Sequence, residues 1–131
     1  MDRRKILNIA SLVVYLIVLG MLCFGNFSST SENIPKYILG LDTDKIVHFL
    51  MFFPFPILCW RLFYSGGRKP LRSLVIVLAI FVAGCLLAAG TELCQGLTDY
   101  RAADALDFRA DGLGLAVASL ICFILELRHK K

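Results

Sequence analysis

Apolar residues run along this chain in four long blocks, over residues 6–24, 46–64, 74–97 and 105–127, separated by short polar links. Each block is long enough to cross the hydrocarbon of a bilayer as a helix, for which about 20 residues suffice. The apolar runs are continuous and lack the alternation of barrel strands. The pattern predicts an all-α, polytopic membrane protein: four transmembrane helices in one bundle, a single domain over 1–131. Composition agrees. With 58% hydrophobic residues and a mean hydropathy of +0.74, a soluble domain of 131 residues would lack the polar surface to cover itself.

Local signals refine the blocks. The first span carries few polar groups and reads as an anchor. The link over 25–44 has a loop composition rich in Ser, Thr, Asn and Pro, with a turn expected at 35–40. Thr43 or Asp44 is placed to cap the second span, and Pro54 and Pro56 predict a kink within it. Gly84, Ala88 and Glu92 recur at fourfold spacing on one face of the third span, and Gly114 and Ala118 on one face of the fourth. Small residues let membrane helices approach, so the third and fourth spans are expected to pack along these faces. The five cysteines show no CxxC spacing and read as small buried hydrophobes, with Cys94 placed beside polar groups.

Charge then gives an orientation. The net charge of +4 is split among Arg3, Arg4 and Lys5, a second group at Arg61, Arg68, Lys69 and Arg72, and a third at Arg128, Lys130 and Lys131. The positive-inside rule puts both termini and the link near Gly66 in the cytoplasm, an N-in/C-in arrangement. Basic residues dispersed in this way do not form a nucleic-acid-binding stripe. The first apolar run exceeds a signal-peptide core and no A-x-A site follows it, so it is read as a retained span.

Ionisable groups are costly in hydrocarbon and persist there chiefly when paired or functional. Three sets of them fall at one predicted depth, near the outer ends of spans two, three and four. Asp44, Lys45 and His48 share a helical neighbourhood. Glu92 and Gln95 are separated by one turn. Asp104, Asp107 and Asp111 form a stripe whose like charges need a base, protons or a metal to relieve them. Asp104 and Asp107 suit a helix N-terminus; Asp111 lies too deep for that account. His48, Glu92, Asp107 and Asp111 have the donor chemistry for a divalent ion, although spacing by itself establishes no cofactor. There is no phosphate loop, HExxH or Ser-His-Asp order.

Taken together, Asp44-Lys45-Ile46-Val47-His48-Phe49, then Glu92-Leu93-Cys94-Gln95, then Arg101 followed by Asp107 and Gly114, resemble the VanZ-like family of small bacterial membrane proteins. The resemblance spans 44–114. The family pattern reads D-K-x-x-H-F, E-x-x-Q, and R with a downstream D-x-x-x-N. This chain has Asp111 where the family often has asparagine. An amide donates where an ionised carboxylate cannot, so Asp111 calls for a proton or a cation nearby.

The resemblance implies a bacterial cytoplasmic (inner) membrane, and the family's named example is associated with resistance to teicoplanin. The expected function is a polar, outward-facing pocket of Asp44, Lys45, His48, Glu92, Gln95, Arg101, Asp104, Asp107 and Asp111. It would bind a lipid headgroup or envelope precursor and modulate envelope properties or glycopeptide susceptibility, with Lys45 and Arg101 attracting an anion. Membrane lipid and a lipid-linked ligand are the expected partners, and homo-oligomer formation stays open. One alternative is a metal-assisted hydrolase at the outer face, for which no nucleophile is visible. Another is a structural protein whose polar groups form an internal salt-bridge network.

Overall fold

The computed structural model describes residues 1–26 and 32–129. Its helices are α1 (Arg3–Phe24), α2 (Thr43–Phe52), α3 (Pro54–Phe63), α4 (Pro70–Gln95) and α5 (Ala105–Arg128). A two-residue-per-strand hairpin, β1 (Tyr37–Ile38) and β2 (Leu41–Asp42), precedes α2. With α2 and α3 taken as one element, four helices among the described residues are long and apolar enough to cross a membrane. The Ser/Thr-rich part of the first link falls outside the described residues.

The boundaries differ from the sequence reading in four places, each with a local cause. First, α1 starts at Arg3 because Asp2 accepts from the Arg4 amide at 3.4 Å. Second, the second span begins at Thr43, and its cap is Asp42, which accepts from the Asp44 amide at 3.1 Å. Thr43 instead donates its hydroxyl to the Pro35 carbonyl, closing the base of the hairpin. Third, that span ends at Phe63 and is interrupted at Phe53, where Pro54 cannot donate into the preceding turn. Next to the break the Tyr15 hydroxyl donates to the Met51 carbonyl at 2.6 Å, as membrane helices require of neighbours beside proline. Fourth, α4 runs from Pro70, a residue suited to a first helical position, to Gln95.

The expected turn at 35–40 is a paired hairpin. Tyr37 faces Asp42 and Ile38 faces Leu41. Leu39 (φ 52°) and Gly40 (φ 79°) both lie in the left-handed region, which fits the twist of a tight hairpin but is unfavourable for leucine.

Side-chain pairs set the helix directions. Asn8 meets Arg61 and Tyr15 meets Met51, so α1 runs antiparallel to α2–α3. Lys45 meets Asp107, His48 meets Asp111 and Trp60 meets Glu126, so α2–α3 runs parallel to α5. Glu92 meets Asp104 and Gly84 faces Leu115, so α4 and α5 are antiparallel. Leu19, Cys23, Phe52, Phe55, Cys59, Ile80, Ala88 and Leu115 form the buried core.

Gly84, Ala88, Gly114 and Ala118 are all buried. Their partners, however, are divided. A Cβ on Gly84 would press on Leu115 and Phe55, whereas one on Gly114 would collide with the Phe49 backbone. The small face of α5 therefore admits α2, and only that of α4 meets the expected α4–α5 seam. The cysteines are free thiols. Cys23, Cys59 and Cys122 are buried, but Cys94 is exposed.

Candidate functional site

Four chain segments meet at one end of the bundle: the C-terminus of α1, the N-terminus of α2, the C-terminus of α4 and the N-terminus of α5. Alternating direction brings these ends together, and with them most of the polar residues singled out above.

Lys45 is the hub of the outer part. Its Nζ lies 2.9 Å from Asp104, 3.5 Å from Asp44, and donates to Asp107. Asp104 also caps α5, accepting from the Leu106 amide at 2.8 Å. The Lys45 ammonium, helped by that amide, holds the Asp104 carboxyl below the usual carboxylate range. One turn deeper, the His48 ring is 2% exposed. Its Nδ1 is 2.8 Å from Asp111 Oδ1; its Nε2 is 3.5 Å from Asp107 Oδ2 and 4.0 Å from Asp44 Oδ1. Glu92 accepts from the Asp104 backbone amide at 2.6 Å and so ties α4 to the start of α5.

The stripe on α5 is thus relieved from α2: Lys45 serves Asp104 and Asp107, and His48 serves Asp111. Arg109 is exposed and takes no part. Three buried atoms in this cluster still lack a hydrogen-bond partner among the described residues: His48 Nε2, Glu92 Oε2 and Asp111 Oδ2. Such atoms carry a desolvation cost that a ligand, water or ion can remove.

Two expected members lie elsewhere. Gln95 donates to the Cys23 carbonyl at 2.9 Å, and Arg101 Nη1 approaches the Cys23 and Leu22 carbonyls at 3.3 and 3.4 Å. Both side chains reach the C-terminus of α1, where unsatisfied carbonyls and the helix dipole favour donors and positive charge. Tyr100 donates to the Phe24 carbonyl in the same place. The first span is therefore more than an anchor, because its last turn is the acceptor for three side chains. Its own sequence carries no sign of this, since backbone carbonyls are not written in side chains.

A cleft of about 330 Å³ lies beside the cluster, lined by Ala89, Glu92, Leu93, Ala103, Asp104, Ala105 and Phe108. One wall is apolar and one end is acidic.

The opposite end of the bundle holds a polar group that the sequence reading passed over. Glu126, 3% exposed, accepts from Trp60 Nε1 at 2.6 Å and lies 3.8 Å from Arg68. Its place inside an apolar run, one helix-length beyond Asp104, was the available signal.

The chain is 28% identical over 127 residues to an uncharacterized protein of Schizosaccharomyces pombe, an alignment covering 97% of this chain and 68% of that protein. No protein-family model matches the chain. No solved structure matches it either.

Proposed function

We propose that this chain is a multi-pass membrane protein that binds an amphiphile in the α4–α5 cleft, with the apolar part against Leu93 and Phe108 and the polar head against Glu92 and Asp104. The observation that carries the reading is the junction of an apolar-walled cleft with a buried acidic cluster, the mixed lining expected of a ligand site. Many large apolar side chains on the outer helix faces, including Leu78, Val82, Leu86, Leu113 and Leu120, are exposed. A bilayer accounts for such a surface better than water does.

The head chemistry differs from the expectation of an anion held by Lys45 and Arg101. Lys45 is enclosed by three carboxylates and Arg101 is spent on α1. Of the residues lining the cleft, Glu92 keeps a carboxylate oxygen without a hydrogen-bond partner among the described residues, so hydroxyl or ammonium groups on the head are complementary. The VanZ-like pattern adds lipid-linked envelope precursors, and with them teicoplanin susceptibility, as one class of amphiphile. The fungal similarity extends the reading beyond bacterial membranes. The basic clusters support N-in/C-in, with the cleft on the outer side.

A photoactivatable phospholipid reconstituted with the full chain, in the presence of chelator, tests the binding reading. Cross-links should map to α4 and α5 around Leu93 and Phe108, and Ala89→Trp should suppress them without loss of folded protein. Cross-links spread evenly over all helices would overturn it.

A further inference from the structure

The His48 ring is held from one side and open on the other. Nδ1 is fixed by Asp111 Oδ1 at 2.8 Å, and with Asp111 ionised the ring must donate there, since an ionised carboxylate only accepts. In the neutral ring Nε2 then carries the lone pair that a metal needs. It is buried, it has no hydrogen-bond partner among the described residues, and it points between Asp107 Oδ2 at 3.5 Å and Asp44 Oδ1 at 4.0 Å. Ligand atoms of Asp44, His48 and Asp107 lie within 4.8 Å of one another. Separations of this kind close onto a metal through small side-chain rotations, because bonds from nitrogen and oxygen to zinc are about 2.0–2.2 Å.

We infer that Asp44, His48 and Asp107 form a binding site for a divalent transition ion, such as zinc or cobalt, with Asp111 as the positioning residue for the imidazole. A carboxylate on the far ring nitrogen fixes the tautomer and direction of a metal-bound histidine, and Asp111 stands there. The charge also fits. Lys45 offsets one of the three carboxylates it touches, Asp44, Asp104 and Asp107. A divalent ion offsets the other two. Lys45 binds Asp107 through Oδ1 and approaches Asp44 through Oδ2, leaving the oxygens that face His48 free. Asp44 has a half-exposed side chain, so an ion reaches the site from the aqueous side of the bundle end. Imidazole with two carboxylates suits such ions better than calcium, which prefers oxygen alone.

His48, Glu92 and Asp111 also bring ligand atoms together, but all three are buried and the near ring nitrogen is already engaged, so the outer triad is favoured. The inference goes beyond the amphiphile reading. Because that cross-link is measured in chelator, either can fail without the other.

The test uses the full chain in detergent with cobalt(II), zinc(II) or manganese(II) alone. The expected result is one ion per chain, visible cobalt absorption bands typical of low coordination number, and a raised melting temperature. Asp44→Asn, at the exposed rim, should weaken cobalt affinity at least tenfold, with its metal-free melting curve recorded alongside to show that the chain is folded. His48→Gln should abolish the bands. Asp111→Asn retains an acceptor for the ring proton and should weaken binding by about 10–100-fold, the range for carboxylates behind a metal ligand. Absence of cobalt bands in the wild type, or equal affinity in wild type and Asp44→Asn, overturns the site.

Discussion

The side-chain amide of Gln95 donates to the carbonyl oxygen of Cys23 across the buried contact between the ends of α4 and α1. The last four carbonyls of a helix have no partner within it, and those of α1 that are drawn into the bundle depend on other elements. Replacing Gln95 with Leu keeps the volume and removes the donor. A buried carbonyl left without a partner costs about 1–3 kcal/mol. Gln95→Leu is therefore expected to lower the thermal stability of the detergent-solubilised protein, while Gln95→Glu, which keeps the shape but cannot donate when ionised, should be at least as damaging. Unchanged melting in Gln95→Leu would mean that α1 is held by its apolar contacts alone.

Two glycines of α5 separate packing from helix propensity. Space around Gly112 is open, whereas a Cβ on Gly114 would run into the carbonyl of Phe49. Backbone cannot yield as a flexible side chain does. Alanine at 112 should be neutral or stabilising by up to about 1 kcal/mol, the propensity difference. Alanine at 114 should destabilise by about 1–3 kcal/mol, as overpacking does, and it should also disturb the register of Lys45 and His48 against the α5 aspartates. Paired melting curves of the two variants check this.

Much of this arrangement was legible because it is periodic. The spans follow from run length, the stripe of Asp104, Asp107 and Asp111 from helical spacing, and the break at Phe53 from Pro54. Lys45, His48 and Arg101 are all candidates by sequence to relieve that stripe; that the first two do so and Arg101 does not follows from the three-dimensional order of the helices, which hydropathy does not encode. Gln95 and Arg101 were grouped with the acids because they are polar and at the same depth. Their true partners are main-chain carbonyls of α1, invisible to a reading based on side chains. The cap is Asp42 in place of the expected Thr43 or Asp44: the hairpin claims the Thr43 hydroxyl for Pro35, and Asp44 already lies inside the helix. Glu126 has no acidic or basic neighbour at helical spacing within its span to single it out except Arg128 beside it, and only burial shows it to be an interior group.

The outer rim of the cluster should hold until the pH is well into the acid range. The Asp104 carboxyl is held below the usual carboxylate range by Lys45 and the Leu106 amide. A depressed folded value means that its contribution is complete above the ordinary carboxylate pKa, about 4, and is lost as pH falls through the lower, folded value. Asp104→Asn keeps a helix-capping side chain but removes the titration. The pH–stability profile of this variant should lack that acid-side decrease, and the two profiles should converge at the lowest pH. Parallel profiles down to the acid limit would show that Lys45 draws its support from Asp107 instead.

At the opposite end, the indole N–H of Trp60 points at Glu126, and Trp60 is the single tryptophan of the chain. Its fluorescence therefore reports on one hydrogen bond without background. Glu126→Gln preserves an acceptor oxygen while removing the charge that Arg68 approaches at 3.8 Å. Glu126→Leu removes both. If the bond to Trp60 is the stabilising part, Glu126→Gln should retain near wild-type emission and stability. Glu126→Leu should then shift the emission and cost about 1–3 kcal/mol, the penalty for leaving a buried donor unsatisfied. If Arg68 is the important partner, both variants should lose stability together and Arg68→Met should match them. The first pattern is expected, because the indole contact is short and partly buried, whereas the Arg68 pair lies at the limit of an ion-pair distance.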